Sequence, residues 1–387
     1  MTTRAILLTT GLTVAGGITG WAQQGQPPDP QRTPGLMAQQ DPNRQAFVMA
    51  NCKNPPPAPA PRGGGAGRAG GPAQPQQMQE YKVTTIPGVI AAGQRWKILF
   101  EDTGNNGDGV LALDDGSLLV AQPAKSVVAK IDRDGKSSVA YTNTFTGAGL
   151  SRNGKGQIFI AERALGKAIW TLEPERRLFA NTFNGEPFDC IGPAVLNDIA
   201  ADAKGGVYMT MGGVYYANPK GVVMGRFGTV VGNGIVLSPD GKMLYVTGRV
   251  AATAAADGAP AAAAGPADGR GGGAANNNGG LVAFDVQPDG SLTGERQFAD
   301  TCGDGSTVDA AGRIYCIGGR MPDPTDPTKV IAGIGVISPT GQILGIIPSP
   351  RNLAGLTFGG PNKQTLFGTA FNDVQVISIE MIAHVNR

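Results

Sequence analysis

Residues 233–247 read NGIVLSPDGKMLYVT. An apolar run at Ile235-Val236-Leu237, turn chemistry at Ser238-Pro239-Asp240-Gly241 and a return through Leu244-Tyr245-Val246 describe two short strands joined by a tight turn. The design recurs along the chain. DGVLALDDGSLLVAQ starts at Asp108, AGLSRNGKGQIFIAE at Ala148, NDIAADAKGGVYMT at Asn197, DGSTVDAAGRIYCIG at Asp304 and AGLTFGGPNKQTLFGTA at Ala354. In five copies the opening residue stands eight positions before a turn glycine: Gly116, Gly156, Gly205, Gly241 and Gly312. The sixth copy places Asn362 there. The residue after the opener is glycine in every copy except one, which has Asp198.

Each hairpin is followed by a second: SVVAKIDRDGKSSVAYT, KAIWTLEPERRLFAN, GVYYANPKGVVMGRF, GLVAFDVQPDGSLTGERQF and IGVISPTGQILGIIP. The last copy ends instead in VQVISIEMI. Two hairpins make a four-stranded antiparallel blade, and blades recurring every 36 to 71 residues predict an all-β, six-bladed β-propeller over residues 81–387. YKVTTIPGVI and QRWKILFED are expected as strands, and those at 81–101 to complete the last blade, leaving no long sheet edge exposed. Residues 251–277, rich in Ala and Gly, form an insertion between the second and third strands of blade four and read as a solvated loop.

The chain before the propeller differs in character. Residues 1–22 carry Arg4, an apolar run and small residues at Gly20 and Ala22, the pattern of a cleaved signal peptide. Residues 23–80 are rich in Pro, Gln and Gly and are expected to be largely disordered, with a short island, Gln45–Met49, that docks on the domain. Export to a periplasmic or extracellular space would let the four cysteines, Cys52, Cys190, Cys302 and Cys316, pair. The hairpin register sets Gly305 opposite Cys316, which leaves Cys302 about three residues off and out of reach. The net charge of +2 carries no clustered basic surface, so no nucleic-acid partner is expected.

First strands line a propeller's channel, so the openers Asp108, Ala148, Asn197, Asn233, Asp304 and Ala354 should ring one mouth of it. Two carboxylates and two carboxamides make a hard-oxygen site suited to Ca2+, or to Mg2+ or Mn2+. The one histidine, His384, lies four residues from the end of the sequence, which leaves no base for a Ser-His-Asp or Cys-His mechanism. Glu162 and Arg163, at the end of the blade-two hairpin, read as a solvated pair, with a place near the channel as the alternative, and Arg249, after strand two of blade four, reads as a surface arginine on the site face.

These segments resemble the gluconolactonase and regucalcin (senescence marker protein) family of six-bladed propellers, over about residues 85–387. The likeness is carried by LNDIAADAKGGVYMT (196–210), GNGIVLSPDGKMLYVT (232–247), GDGSTVDAAGRIYC (303–316) and NLAGLTFGGPNKQTLFGTA (352–370). It implies a metal-dependent lactonase in which Asn233 and Asp304 are metal ligands and Asn197 contacts substrate or metal-bound water. Asp108 stands where the family has a glutamate ligand, one methylene longer. The resulting expectation is an exported hydrolase of sugar-type or small lactones. It would use one divalent cation (Ca2+ foremost, with Mg2+, Mn2+ or Zn2+ as substitutes) held by Asp108, Asn233 and Asp304, with Asp304 as general base. Related propellers of the strictosidine-synthase type perform other work on this scaffold, so the alternative is a ligand-binding or interaction propeller with a structural ion.

Overall fold

The computed structural model describes residues 32–56, 81–102, 105–192, 194–250, 279–323, 326–370 and 374–383. The signal peptide expected over 1–22, the insertion at 251–277 and His384 lie outside them.

Six four-stranded antiparallel sheets follow one another in chain order. Their first strands are Val110–Ala112, Gly147–Arg152, Ile199–Ala201, Ile235–Leu237, Ser306–Val308 and Leu353–Gly359. The sixth sheet takes its outer strand from the front of the domain, where Lys97–Asp102 pairs with Val374–Glu380. This closure matches the expectation for QRWKILFED. YKVTTIPGVI forms no strand; it turns on itself through an Ile86–Ile90 bridge. Val83, Ile86, Val89 and Ile90 are thereby buried against blades five and six, because this stretch covers a core instead of extending a sheet.

Hydrophobic packing is divided into six wedges, one at each junction between adjacent blades. Alternation within strands produces this. In blade two, Ile158 and Ile160 face blade one, whereas Phe159 and Ala161 face blade three. At the hairpin tips Gly116, Gly156, Gly205, Gly241 and Gly312 adopt positive φ, as the shared register requires. In blade six that conformation falls on Lys363, one residue beyond Asn362, since the Gly359-Gly360 pair lengthens the tip.

The glycine after each opener has a structural task. A Cβ on Gly109 would strike the carbonyl oxygen of Ala148, on Gly149 the Asp198 carboxylate, on Gly234 the Asp304 carbonyl, on Gly305 the Ala354 carbonyl, and on Gly355 the Asp108 carbonyl. Each opener's successor thus packs against the opener region of the next blade, around a closed ring. Blade three breaks the rule with Asp198, whose Oδ2 instead accepts from the Ile235 amide of blade four at 3.2 Å. Gly234→Ala, whose Cβ would lie 2.5 Å from the Asp304 oxygen, should destabilise by about 1–3 kcal/mol, as overpacking does. Gly154→Ala, with open space around it, should be neutral or slightly stabilising in the same thermal melt.

Residues 32–56 lie against blades one and two and the connection that leads to blade three, so this part of the expected linker is placed against the domain. The island Gln45–Met49 falls within an α-helix, Arg44–Asn51. The segment is held by Gly35 N–H to Ser126 Oγ, by Thr146 Oγ1 to the Leu36 carbonyl, and by a Cys52–Cys190 disulfide. Cys302 and Cys316 are also bonded, contrary to the expectation from register, with Cα atoms 5.4 Å apart. Straight pairing would have kept them apart. Instead Ser306 lies opposite Cys316, and the Gly303 and Asp304 amides both donate to the Ile317 carbonyl. That bulge, with Cys302 at φ 121°, folds the chain back beside Cys316.

Candidate functional site

The four polar openers converge at one mouth of the channel by a shared backbone device. Their amides donate to strand-two carbonyls: Asp108 to Ala121, Asn197 to Thr210, Asn233 to Thr247 and Asp304 to Ile317. Threonine hydroxyls lock the openers from beside. Thr210 Oγ1 donates to the Asn233 carbonyl at 2.5 Å, and Thr369 Oγ1 bonds the Asp108 carbonyl across the junction of blades six and one. Ala148 and Ala354, both buried, fill the remaining places.

Arg163 lies in the same mouth, and here the sequence reading is corrected. It is 4% exposed and is no solvated surface charge. Strand two of blade two ends at Glu162, so the chain leaves the sheet at Arg163 on the mouth face. The Ala38 amide of the crossing segment caps its carbonyl at 2.9 Å. Its Nη1 donates to Asp108 Oδ2 at 2.7 Å and its Nε to the Leu196 carbonyl at 3.3 Å. Its Nη2 donates to the Asn197 carbonyl at 3.2 Å and to Asn197 Oδ1. Asn197 Nδ2 in turn donates to Asn233 Oδ1 at 2.5 Å. A hydrogen-bonded chain therefore runs Asp108–Arg163–Asn197–Asn233 through blades one to four.

Asp304 stands apart from this chain. Its Oδ1 accepts the Gly305 amide at 3.0 Å, and Oδ2 has no protein partner among the described residues. The carboxyl keeps a solvent-accessible edge although it sits deep in the mouth. Burial raises its pKa well above the ordinary carboxylate range; the Asp108 charge adds to this and Arg163 opposes it. Burial also pushes Asp198 up to about 7, against the pull of its bonds from the Ile199 and Ile235 amides.

Glu162 does not pair with its neighbour Arg163. It is buried beneath Arg32 of the crossing segment at 2.9 Å and Arg176 at 2.6 Å. Burial outweighs both guanidinium groups and raises its pKa to about 7. A raised folded value means stabilisation complete below the unfolded value of about 4.5 and lost as pH rises through about 7. The melting temperature of wild type should accordingly fall more steeply between those pH values than that of Glu162→Gln; parallel curves would contradict it. Arg249 is the surface arginine expected, paired with Asp300 at 3.0 Å.

The donor set does not fit a divalent cation as arranged. Asp108 Oδ2, Asn197 Oδ1 and Asn233 Oδ1 already accept N–H donors, one of them from a buried guanidinium. Among the described residues no three Asp, Glu, His or Cys side chains come together in a way that would hold an ion. Among the described residues, the positive charge hydrogen-bonded into the ring is that of Arg163.

A separate groove of about 600 Å3 lies between blades one and two, lined by residues including Leu113, Asp115, Lys130, Tyr141 and Glu173. It contains none of the ring residues, and the convergence of polar groups favours the mouth as the functional site.

No family model and no curated protein matches the chain. Solved structures do. A gluconolactonase from Xanthomonas campestris superposes with a TM-score of 0.55 at 20% identity, over 74% of this chain and 90% of that one. Regucalcin from Agrobacterium tumefaciens, described as a calcium-binding protein, gives 0.53 at 17% identity, over 76% and 96%. A luciferin-regenerating enzyme gives 0.51 at 15% identity, over 76% and 98%. The chain thus carries the six-bladed propeller fold found in solved gluconolactonases and regucalcin.

Proposed function

We propose that the protein is a hydrolase of small, sugar-type lactones, working at the ring of openers. The observation that carries this is the pairing, in one mouth, of a carboxylate with a free oxygen, Asp304, and a buried hydrogen-bonded guanidinium, Arg163. The likeness in fold to gluconolactonases supports it.

Lactone opening needs a base to take a proton from water and a place for negative charge on the carbonyl oxygen. Asp304 Oδ2 is positioned as the base and takes the proton in its ionised form, which its raised pKa confines to higher pH than an ordinary carboxylate. Water oxygen bonds to the carbonyl carbon, its proton passes to Asp304, and the carbonyl π pair moves onto oxygen. When the C=O bond re-forms, the ring C–O bond breaks and the ring oxygen takes the proton back from Asp304. Asn197, held by Arg163 and Asn233, orients the substrate's hydroxyls. Asp108 anchors Arg163.

Export from the cytoplasm belongs to the same reading. The pairing of all four cysteines in two disulfides supports it, because such bonds persist in oxidising compartments. The test is proton release from a panel of sugar and aliphatic lactones. Hydrolysis of one class above the spontaneous rate is expected; no hydrolysis of any member, with or without added Ca2+, Mg2+, Mn2+ or Zn2+, would overturn the assignment.

A further inference from the structure

We propose that Arg163 takes the place of a bound metal ion: its guanidinium supplies the positive charge of the mouth, and its remaining Nη1 proton is donated to the oxyanion. The inference rests on the lactone-hydrolase reading for its chemistry, but the charge replacement stands on geometry alone.

Donor counting leads to it. A guanidinium has five N–H protons. In Arg163 four have acceptors: the Leu196 carbonyl, Asp108 Oδ2, and the carbonyl and Oδ1 of Asn197. The one left belongs to Nη1, the nitrogen bound to Asp108. It has no acceptor among the described residues, although the side chain is 4% exposed. The four bonds leave the group no freedom to turn, so this donor has a fixed direction before substrate arrives. Fixed donors in a water-poor site are what stabilises a developing oxyanion.

The charge arithmetic agrees. Asp108, Asp198 and Asp304 approach one another closely enough for their charges to interact, and Arg163 is the cation that acts on both Asp198 and Asp304. A divalent ion at the openers would have to displace Arg163 from Asp108 and Asn197. That would leave a buried guanidinium without its carboxylate, at a cost that breaking a buried pair usually carries. Ion and arginine are alternatives for one place.

The experiment combines turnover with ion binding on the full chain, stripped with chelator. Wild type should hydrolyse its lactone equally well in chelator and in millimolar Ca2+, and calorimetric titration with Ca2+ should give no binding heat. Arg163→Gln should lose about a hundredfold to a thousandfold in kcat with little change in KM, as removal of an oxyanion donor does. Arg163→Lys keeps the charge without the fork and should fall between. It also serves as the comparison if the glutamine variant fails to fold. Loss of wild-type turnover in chelator, restored by Ca2+ or Mg2+, would overturn the inference while leaving the lactonase reading intact. Failure of every lactone would instead remove the lactonase reading and the oxyanion role with it. The calorimetric titration then decides the replacement by itself: a Ca2+ binding heat in wild type overturns it, and its absence upholds it.

Discussion

Asp304→Asn should lower lactone turnover by about a hundredfold to ten-thousandfold, the range a positioned general base contributes. The substitution is a clean one for this structure. The Gly305 amide, which donates to Asp304 Oδ1 at 3.0 Å, finds the same acceptor in the amide oxygen. Only the unpartnered Oδ2 changes, from an oxygen that takes a proton to a nitrogen that cannot. Fold stability should not suffer, since burial and the Asp108 charge already disfavour the ionised form. A melting temperature at or slightly above that of wild type is therefore expected beside the lost turnover. Full activity in this variant would show that the proton goes elsewhere and would remove Asp304 from the mechanism.

Cys190→Ser should lower the melting temperature more than Cys302→Ser. The two bonds differ in the length of chain they close, 138 residues against 14. Loop-closure entropy in the unfolded chain grows with that length, to about 3 kcal/mol for a loop of roughly 15 residues and about 4.7 kcal/mol for one of roughly 100. Position adds to the difference. Cys302–Cys316 ties neighbours within one hairpin that strand pairing already holds, whereas Cys52–Cys190 fastens the segment 32–56 to the domain. Hydrogen exchange in the helix Arg44–Asn51 should accelerate in Cys190→Ser and stay unchanged in Cys302→Ser. A larger thermal loss from Cys302→Ser would mean that bulge geometry matters more here than loop length.

The architecture was legible because one physical pattern was written six times. A turn glycine at fixed distance from five of the six openers sets strand register, and register sets which residues reach the channel. Asp108, Asn197, Asn233 and Asp304 could be brought together on that basis alone. For Arg163 a place near the channel was the weaker of two readings, since it lies just past the end of a strand, where alternation stops predicting direction. The signal that might have found it was positional: Glu162-Arg163 closes the second strand of blade two, which runs toward the mouth. The same boundary effect hid the Cys302–Cys316 bond, which depends on a bulge that no residue-type rule announces. Cys52–Cys190 joins parts of the chain too far apart for any local pattern to connect them. In YKVTTIPGVI strand propensity was real, but the burial available between blades five and six decided the conformation.

The closing strand has a consequence for how the protein is made. A ribosome delivers Lys97–Asp102 long before its partner Val374–Glu380, so the outer edge of blade six must wait until that partner has been made. Cys190 emerges midway, and the chain it links to Cys52 contains the waiting strand. Once that bond has formed, blades one and two and the strand sit inside a single covalent hoop. The nascent chain can then stall without its first-made edge drifting away. After any transient opening at the seam, the strand is returned to its place by a tether instead of a search.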